Sequence, residues 1–200
     1  MSRASSRARS VPAIATASNP SSRPQRFTRA STPDSTTVSI PEMVALKVIL
    51  PDERATLALG AALAGALEPG LTIYLRGELG AGKTTLVRGL LRALGYEGPV
   101  RSPTYTLVEV YEVSRLHLHH FDFYRFHGHR EWIDAGFRES FNGRNVSLIE
   151  WPERAGGQLP PADLDIALAL HAAGRNAVLT SSSLKGQKCL ALLEERWPAS

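Results

Sequence analysis

Cysteine is almost missing from this chain: Cys189 is the one thiol in 200 residues. No intramolecular disulfide can form, which excludes the disulfide-framed secreted domains and points to a reducing compartment. Long hydrophobic runs are missing as well. The most apolar stretch, Thr56 to Leu67, is rich in alanine and glycine and too short to span a bilayer, so it reads as a packed helix and no membrane role is expected. The body of the chain also lacks a charge excess. Residues 1–42 carry six arginines against Asp34 and Glu42, and the whole chain is only +4, so residues 43–200 are neutral. A nucleic-acid-binding surface made from bulk charge is therefore not indicated. No internal repeat is visible.

Residues 1–42 contain no lysine and are rich in Ser, Arg, Ala, Thr and Pro without a hydrophobic period. Three readings stay open. The segment is a disordered tail, it resembles an organellar transit peptide, or translation starts at Met43. The remaining residues, 43–200, are read as a single domain, with a cytoplasmic location unless the tail is a targeting signal.

What the chain does have is a phosphate loop. Gly77-Glu78-Leu79-Gly80-Ala81-Gly82-Lys83-Thr84-Thr85 places four residues between a glycine and Gly-Lys-Thr. Residues 71–75 before it are apolar and β-branched or aromatic, and read as a buried strand. Residues 85–94 after it read as a helix stopped by Gly95. Glycines at 77, 80 and 82 permit positive φ and bring bare amides close to a phosphate, backed by the helix dipole. Lys83 can reach the β- and γ-phosphates, and the Thr84 hydroxyl can ligate Mg²⁺. ATP and Mg²⁺ are the implied cofactors. Asn-Lys-x-Asp, which would select guanine, occurs nowhere.

The other elements follow from periodicity. A strand is expected over 44–50, then a helix capped by Asp52 and running to about Leu67. A switch-like loop is expected at Ser102 and Thr104, around Pro103. Strands over 107–112 and 116–122 pair through a turn near Ser114. A helix is expected over 130–138, a loop over 139–144 and a strand over 146–149. A hairpin joins 165–170 to 177–180, turning at Ala173 to Asn176. Ser183 to Arg196 closes the chain as a helix.

Two strands end on an acid, Asp122 and Glu150, and such a carboxylate completes the metal site of phosphate-loop enzymes. Glu150 follows the cleaner apolar run and is assigned to the magnesium shell. Asp122 is assigned to orienting the attacking water or bracing the metal's waters; which of the two acids positions that water stays open. Histidines at 117, 119, 120, 127 and 129 crowd one region. With no cysteine nearby and strand alternation splitting them between faces, they read as surface or core histidines rather than a zinc site.

Four motifs in order and spacing, Gly-Glu-Leu-Gly-Ala-Gly-Lys-Thr-Thr (77–85), Ser-Pro-Thr-Tyr-Thr-Leu-Val-Glu (102–109), His-Phe-Asp-Phe-Tyr-Arg (120–125) and Ile-Glu-Trp-Pro-Glu (149–153), resemble the TsaE (YjeE) family over roughly residues 44–181. The resemblance implies an α/β fold, a three-layer P-loop NTPase-like sandwich with a central mixed β-sheet, and the role of ATPase component of tRNA threonylcarbamoyladenosine synthesis, working with the TsaD–TsaB transferase pair and meeting tRNA only through that complex. It implies that Lys83, Thr84 and Thr85 hold phosphate and metal and that Glu150 completes the metal shell. Asp122 serves hydrolysis, Ser102 and Thr104 lie on the switch-like segment, and Trp151 lies beside the nucleotide. Glu53, Gly174 and Arg175 resemble positions near the base and ribose. A small-molecule kinase and a non-catalytic nucleotide switch are the competing functions, with Arg125, Arg130 and Arg138 as possible lid residues for the former.

Overall fold

A computed structural model describes residues 43–126 and 131–197. The expectations for the tail 1–42 and for His127, His129 and Arg130 lie outside the described residues. In chain order the elements are β1 (Val44–Leu50), α1 (Glu53–Ala64), β2 (Thr72–Arg76), α2 (Lys83–Ala93), β3 (Val108–Val113) and β4 (Leu116–Asp122). There follow α3 (Glu131–Asp134), a 3₁₀ turn (Phe137–Ser140), β5 (Val146–Glu150), a second 3₁₀ turn (Pro152–Ala155), β6 (Leu164–His171), β7 (Gly174–Ser181) and α4 (Leu184–Arg196).

The seven strands form one mixed sheet in the order β1-β7-β6-β2-β5-β4-β3. The chain is an α/β protein, as its sequence indicates. β2 lies parallel to both β5 and β6, and β4 parallel to β5. The β1–β7, β6–β7 and β3–β4 pairs are antiparallel. Strand alternation sorts side chains onto two faces. One face carries Ile73, Leu75, Leu118, Val146, Leu148, Leu164 and Ile166, packed under α1, α2 and α4 in the main core. The other carries Phe121 and Ile149, covered by Trp132 and Ala155 from the short helical segments and by Phe123, Phe126 and Leu159 from loops.

Caps set the helix starts. Asp52 accepts a hydrogen bond from Ala55 N at 2.7 Å, and Ser183 Oγ accepts one from Gly186 N at 3.0 Å. α1 is shorter than its apolar run suggests. Gly65 N and Ala66 N donate to Ala62 O and Leu63 O, tightening the end into a 3₁₀ turn before Pro69. The helix expected over 130–138 is interrupted: Gly136 adopts φ 77°, so α3 stops at Asp134 and a separate 3₁₀ turn takes 137–140, including the first two residues of the expected loop. α2 begins at Lys83, two residues earlier than expected.

The β6–β7 turn is tighter than the sequence suggests, at Ala172 and Ala173, with His171 already paired to Gly174 and Leu170 to Arg175. Gly174 is not a turn glycine; a Cβ there would come 2.2 Å from Leu50 O, so the residue allows close approach between strands. Cys189 is buried on α4, and burial pushes its thiol up to about 12. No helix among the described residues is long and apolar enough to cross a membrane.

Candidate active site

The parallel register brings the ends of three strands to one place. Asp122 on β4 pairs with Glu150 on β5, and Glu150 pairs with Leu75 on β2. Gly77, Gly80 and Gly82 follow β2 with φ of 133°, 79° and 103°, a left-handed region that favours glycine. A side chain is also excluded at Gly77, where a Cβ would sit 2.3 Å from Leu168 O. Gly82 caps α2, so the helix's N-terminal amides and positive dipole end point out of the loop.

Lys83 is buried, with 4 % of its surface exposed. Its Nζ donates to Gly77 O at 2.7 Å and Glu78 O at 3.0 Å, and lies 4.1 Å from the centre of the Trp151 ring. Burial lowers the ammonium's pKa, against the opposing pull of Glu150, Asp122 and Glu153. Trp151 holds this position with φ 58° and ψ 48°. Left-handed backbone at a bulky residue is strained, at a cost of about 1–3 kcal/mol.

Two carboxylates flank the loop. Glu150 Oε1 accepts from Thr84 Oγ1 at 2.8 Å and from His120 Nε2 at 2.9 Å. Asp122 Oδ2 accepts from Ser102 Oγ and, at 2.7 Å, from Thr104 Oγ1. Its Oδ1 accepts from Tyr124 N at 2.8 Å. The two hydroxyls around Pro103 therefore tie the expected switch-like loop to the end of β4.

These groups border a cavity of about 270 Å³. From the loop and α2 it takes Leu79, Gly80, Gly82, Lys83, Thr84 and Thr85, and from elsewhere Ser102, Thr104, Asp122, Glu150 and Trp151. Gly77, Glu78 and Ala81 shape the loop from behind. Arg175 does not line this cavity; its Nε donates to Ala81 O at 2.8 Å and braces the loop's main chain. Together with Gly174 and Pro51 it borders a neighbouring groove of about 230 Å³. Glu53 stands at the exposed start of α1, 3.5 Å from Arg88.

Sequence reasoning read His120 among the surface or core histidines and gave neither it nor Tyr124 a role in the site. Tyr124 lines the cavity and its ring lies 5.1 Å from Trp151. His120 is fully buried against Glu150. The alternation did divide the histidines: His120 shares a face with Asp122, while His117 and His119 point the other way. That shared parity was the signal available.

The donor set consists of hard oxygens from Thr84, Glu150 and Asp122, beside a lysine and a nest of amides. Among the described residues no group of three or more His, Cys, Asp or Glu could hold a metal alone. This suits Mg²⁺, which takes one or two carboxylates and completes its shell with phosphate and water.

Comparison with known proteins gives the lineage. The family model described as "Threonylcarbamoyl adenosine biosynthesis protein TsaE" matches residues 50–177. The chain belongs to the TsaE family. A TsaE from Haemophilus influenzae, a tRNA threonylcarbamoyladenosine biosynthesis protein, is 39 % identical over 153 residues, covering 74 % of this chain and 97 % of that protein. The TsaE of Bacillus subtilis is 38 % identical over 122 residues, covering 61 % of this chain and 75 % of its own. The crystal structure of Bacillus subtilis YdiB superposes with a TM-score of 0.63 at 28 % identity, over 77 % of this chain and 95 % of that one. That likeness supports a P-loop NTPase-like fold.

Proposed function

We propose that this TsaE-family protein is a magnesium-dependent ATPase that supports threonylcarbamoylation of tRNA, acting with the TsaD–TsaB transferase pair. One observation carries the reading: Lys83, Thr84, Asp122 and Glu150 converge on a single cavity at the phosphate loop. The relatives named for tRNA threonylcarbamoyladenosine biosynthesis supply the pathway.

The loop amides and the α2 N-terminus bind the phosphate chain. Lys83 is already stripped of water and ringed by acceptors, so a terminal phosphate exchanges for the carbonyls it holds without new desolvation. Thr84 and Glu150 hold the metal, which when bound neutralises phosphate oxygens and polarises the terminal phosphoryl group. Asp122 accepts a proton from, or orients, the attacking water, and its bonds to Ser102 and Thr104 make that readiness depend on the loop. Trp151 walls the phosphates from solvent. The neutral body favours contact with tRNA through protein partners. Glu53, Gly174 and Arg175 are assigned to the base and ribose side.

Calorimetry tests the core of this. Magnesium-dependent binding of ATP by the full chain, lost in Lys83→Ala, is expected; binding that ignores both magnesium and Lys83 overturns it. Phosphate release should respond to an added TsaD–TsaB pair, and no response in turnover or in tRNA modification refutes the partnership.

A further inference from the structure

We propose that His120 is a positioning residue for the magnesium-binding carboxylate: its Nε2–H fixes Oε1 of Glu150 and leaves Oε2 as the oxygen offered to the cavity. The inference rests on the nucleotide reading above.

Both side-chain hydrogen bonds of Glu150 among the described residues fall on the same oxygen. Thr84 Oγ1 reaches Oε1 from α2 at 2.8 Å, and His120 Nε2 reaches it from β4 at 2.9 Å. Oε2 makes none among the described residues, and Glu150 borders the cavity. Two donors from different elements stop the carboxylate from rotating about its last bond; Thr84 alone would leave that rotation open. The β4–β5 register creates the arrangement, because Asp122 pairs with Glu150 and His120 lies two residues back on the same face.

The imidazole makes no other side-chain hydrogen bond among the described residues. It is fully buried, its Nδ1 has no hydrogen-bond partner, and the Glu150 side chain is 3 % exposed. A histidine kept only for packing has no reason to aim one nitrogen at a site carboxylate and abandon the other. An ionised carboxylate can only accept, so Nε2–H is the donor in this bond. Outer partners of this type set the orientation and basicity of a metal ligand.

The test uses the full chain with a fluorescent ATP analogue, titrated in EDTA and in magnesium, in wild type, His120→Leu and His120→Gln. Gln places an N–H near the position of Nε2; Leu fills the space without a donor. The Leu variant is expected to lose about 10–100-fold of the tightening that magnesium gives, with binding in EDTA within about twofold of wild type, since the loop amides and Lys83 are untouched. Gln restores most of the tightening. Full tightening in Leu, or a folded Gln variant as poor as Leu, overturns the proposal. ¹⁵N spectra of wild-type protein without nucleotide give an answer that needs no variant: a protonated Nε2 on His120 is expected, and a bare Nε2 refutes it. If wild type binds no nucleotide, the ATPase reading falls and takes this inference with it; magnesium-dependent binding unchanged in Leu removes the positioning role alone.

Discussion

Asp122 has all its near donors on the chain itself: two hydroxyls on Oδ2 and the Tyr124 amide on Oδ1. Asparagine keeps the volume and one accepting oxygen but loses the charge and basicity. Asp122→Asn should therefore retain ATP affinity within a few-fold and lose about 10²–10⁴ in turnover, as expected for removal of a general base. Single-turnover phosphate release measures this directly. His119, one residue before the positioning histidine and on the opposite face, carries a different liability. Burial, helped by nearby His117, lowers its pKa below 6.5. The folded state then binds this proton more weakly than the unfolded chain, so stability is full above pH 6.5 and falls as pH drops through the lowered value. Denaturation midpoints taken down the acid range should decline less steeply in His119→Phe. Neither the ties on Asp122 nor the burial of His119 can be read from local sequence, because both depend on which strand lies alongside β4.

Helices α1 and α2 meet at glycines. A Cβ on Gly60 would stand 2.1 Å from Leu86 O, and one on Gly89 would stand 2.2 Å from Leu57 O. Main chain packs on main chain there, so neither partner can swing aside. Gly89→Ala should cost about 1–3 kcal/mol, the usual range for an overfilled core, read from a denaturant titration. It should also weaken nucleotide binding, because α2 starts at Lys83 and cannot shift without moving the phosphate loop. The unit β2–loop–α2 was legible in the sequence since spaced glycines, an apolar run and a helical period occur together within residues 71–94. The β6–β7 turn was not. Gly174 and Asn176 look like turn residues, yet the glycine is demanded by the passing β1 chain, a partner more than a hundred positions away. The helix expected over 130–138 failed for a local reason instead, the left-handed Gly136.

At the scale of the molecule, the mixed sheet gathers residues from 79 to 151 around one cavity, and the α/β class could be inferred because the strands announce themselves by alternation or by short apolar runs between helical periods. The strand order could not, and with it went the juxtaposition of His120 with Glu150. Neither Glu53 nor Arg175, placed beside the nucleotide by resemblance, lines the cavity: Glu53 stands exposed beside Arg88, and Arg175 braces the loop's main chain. The buried position of Cys189 has a practical corollary. At neutral pH its sulfur stays protonated and out of reach, so the wild-type protein should be inert to maleimide dyes. Leu79, 73 % exposed on the loop's rim, can then be converted to Cys as a solitary handle for a dye. Labelling of the Leu79→Cys variant should go to one equivalent, and the emission of that dye should track every loading and emptying of the cleft in real time; a second equivalent of label on the folded variant would show that α4 opens.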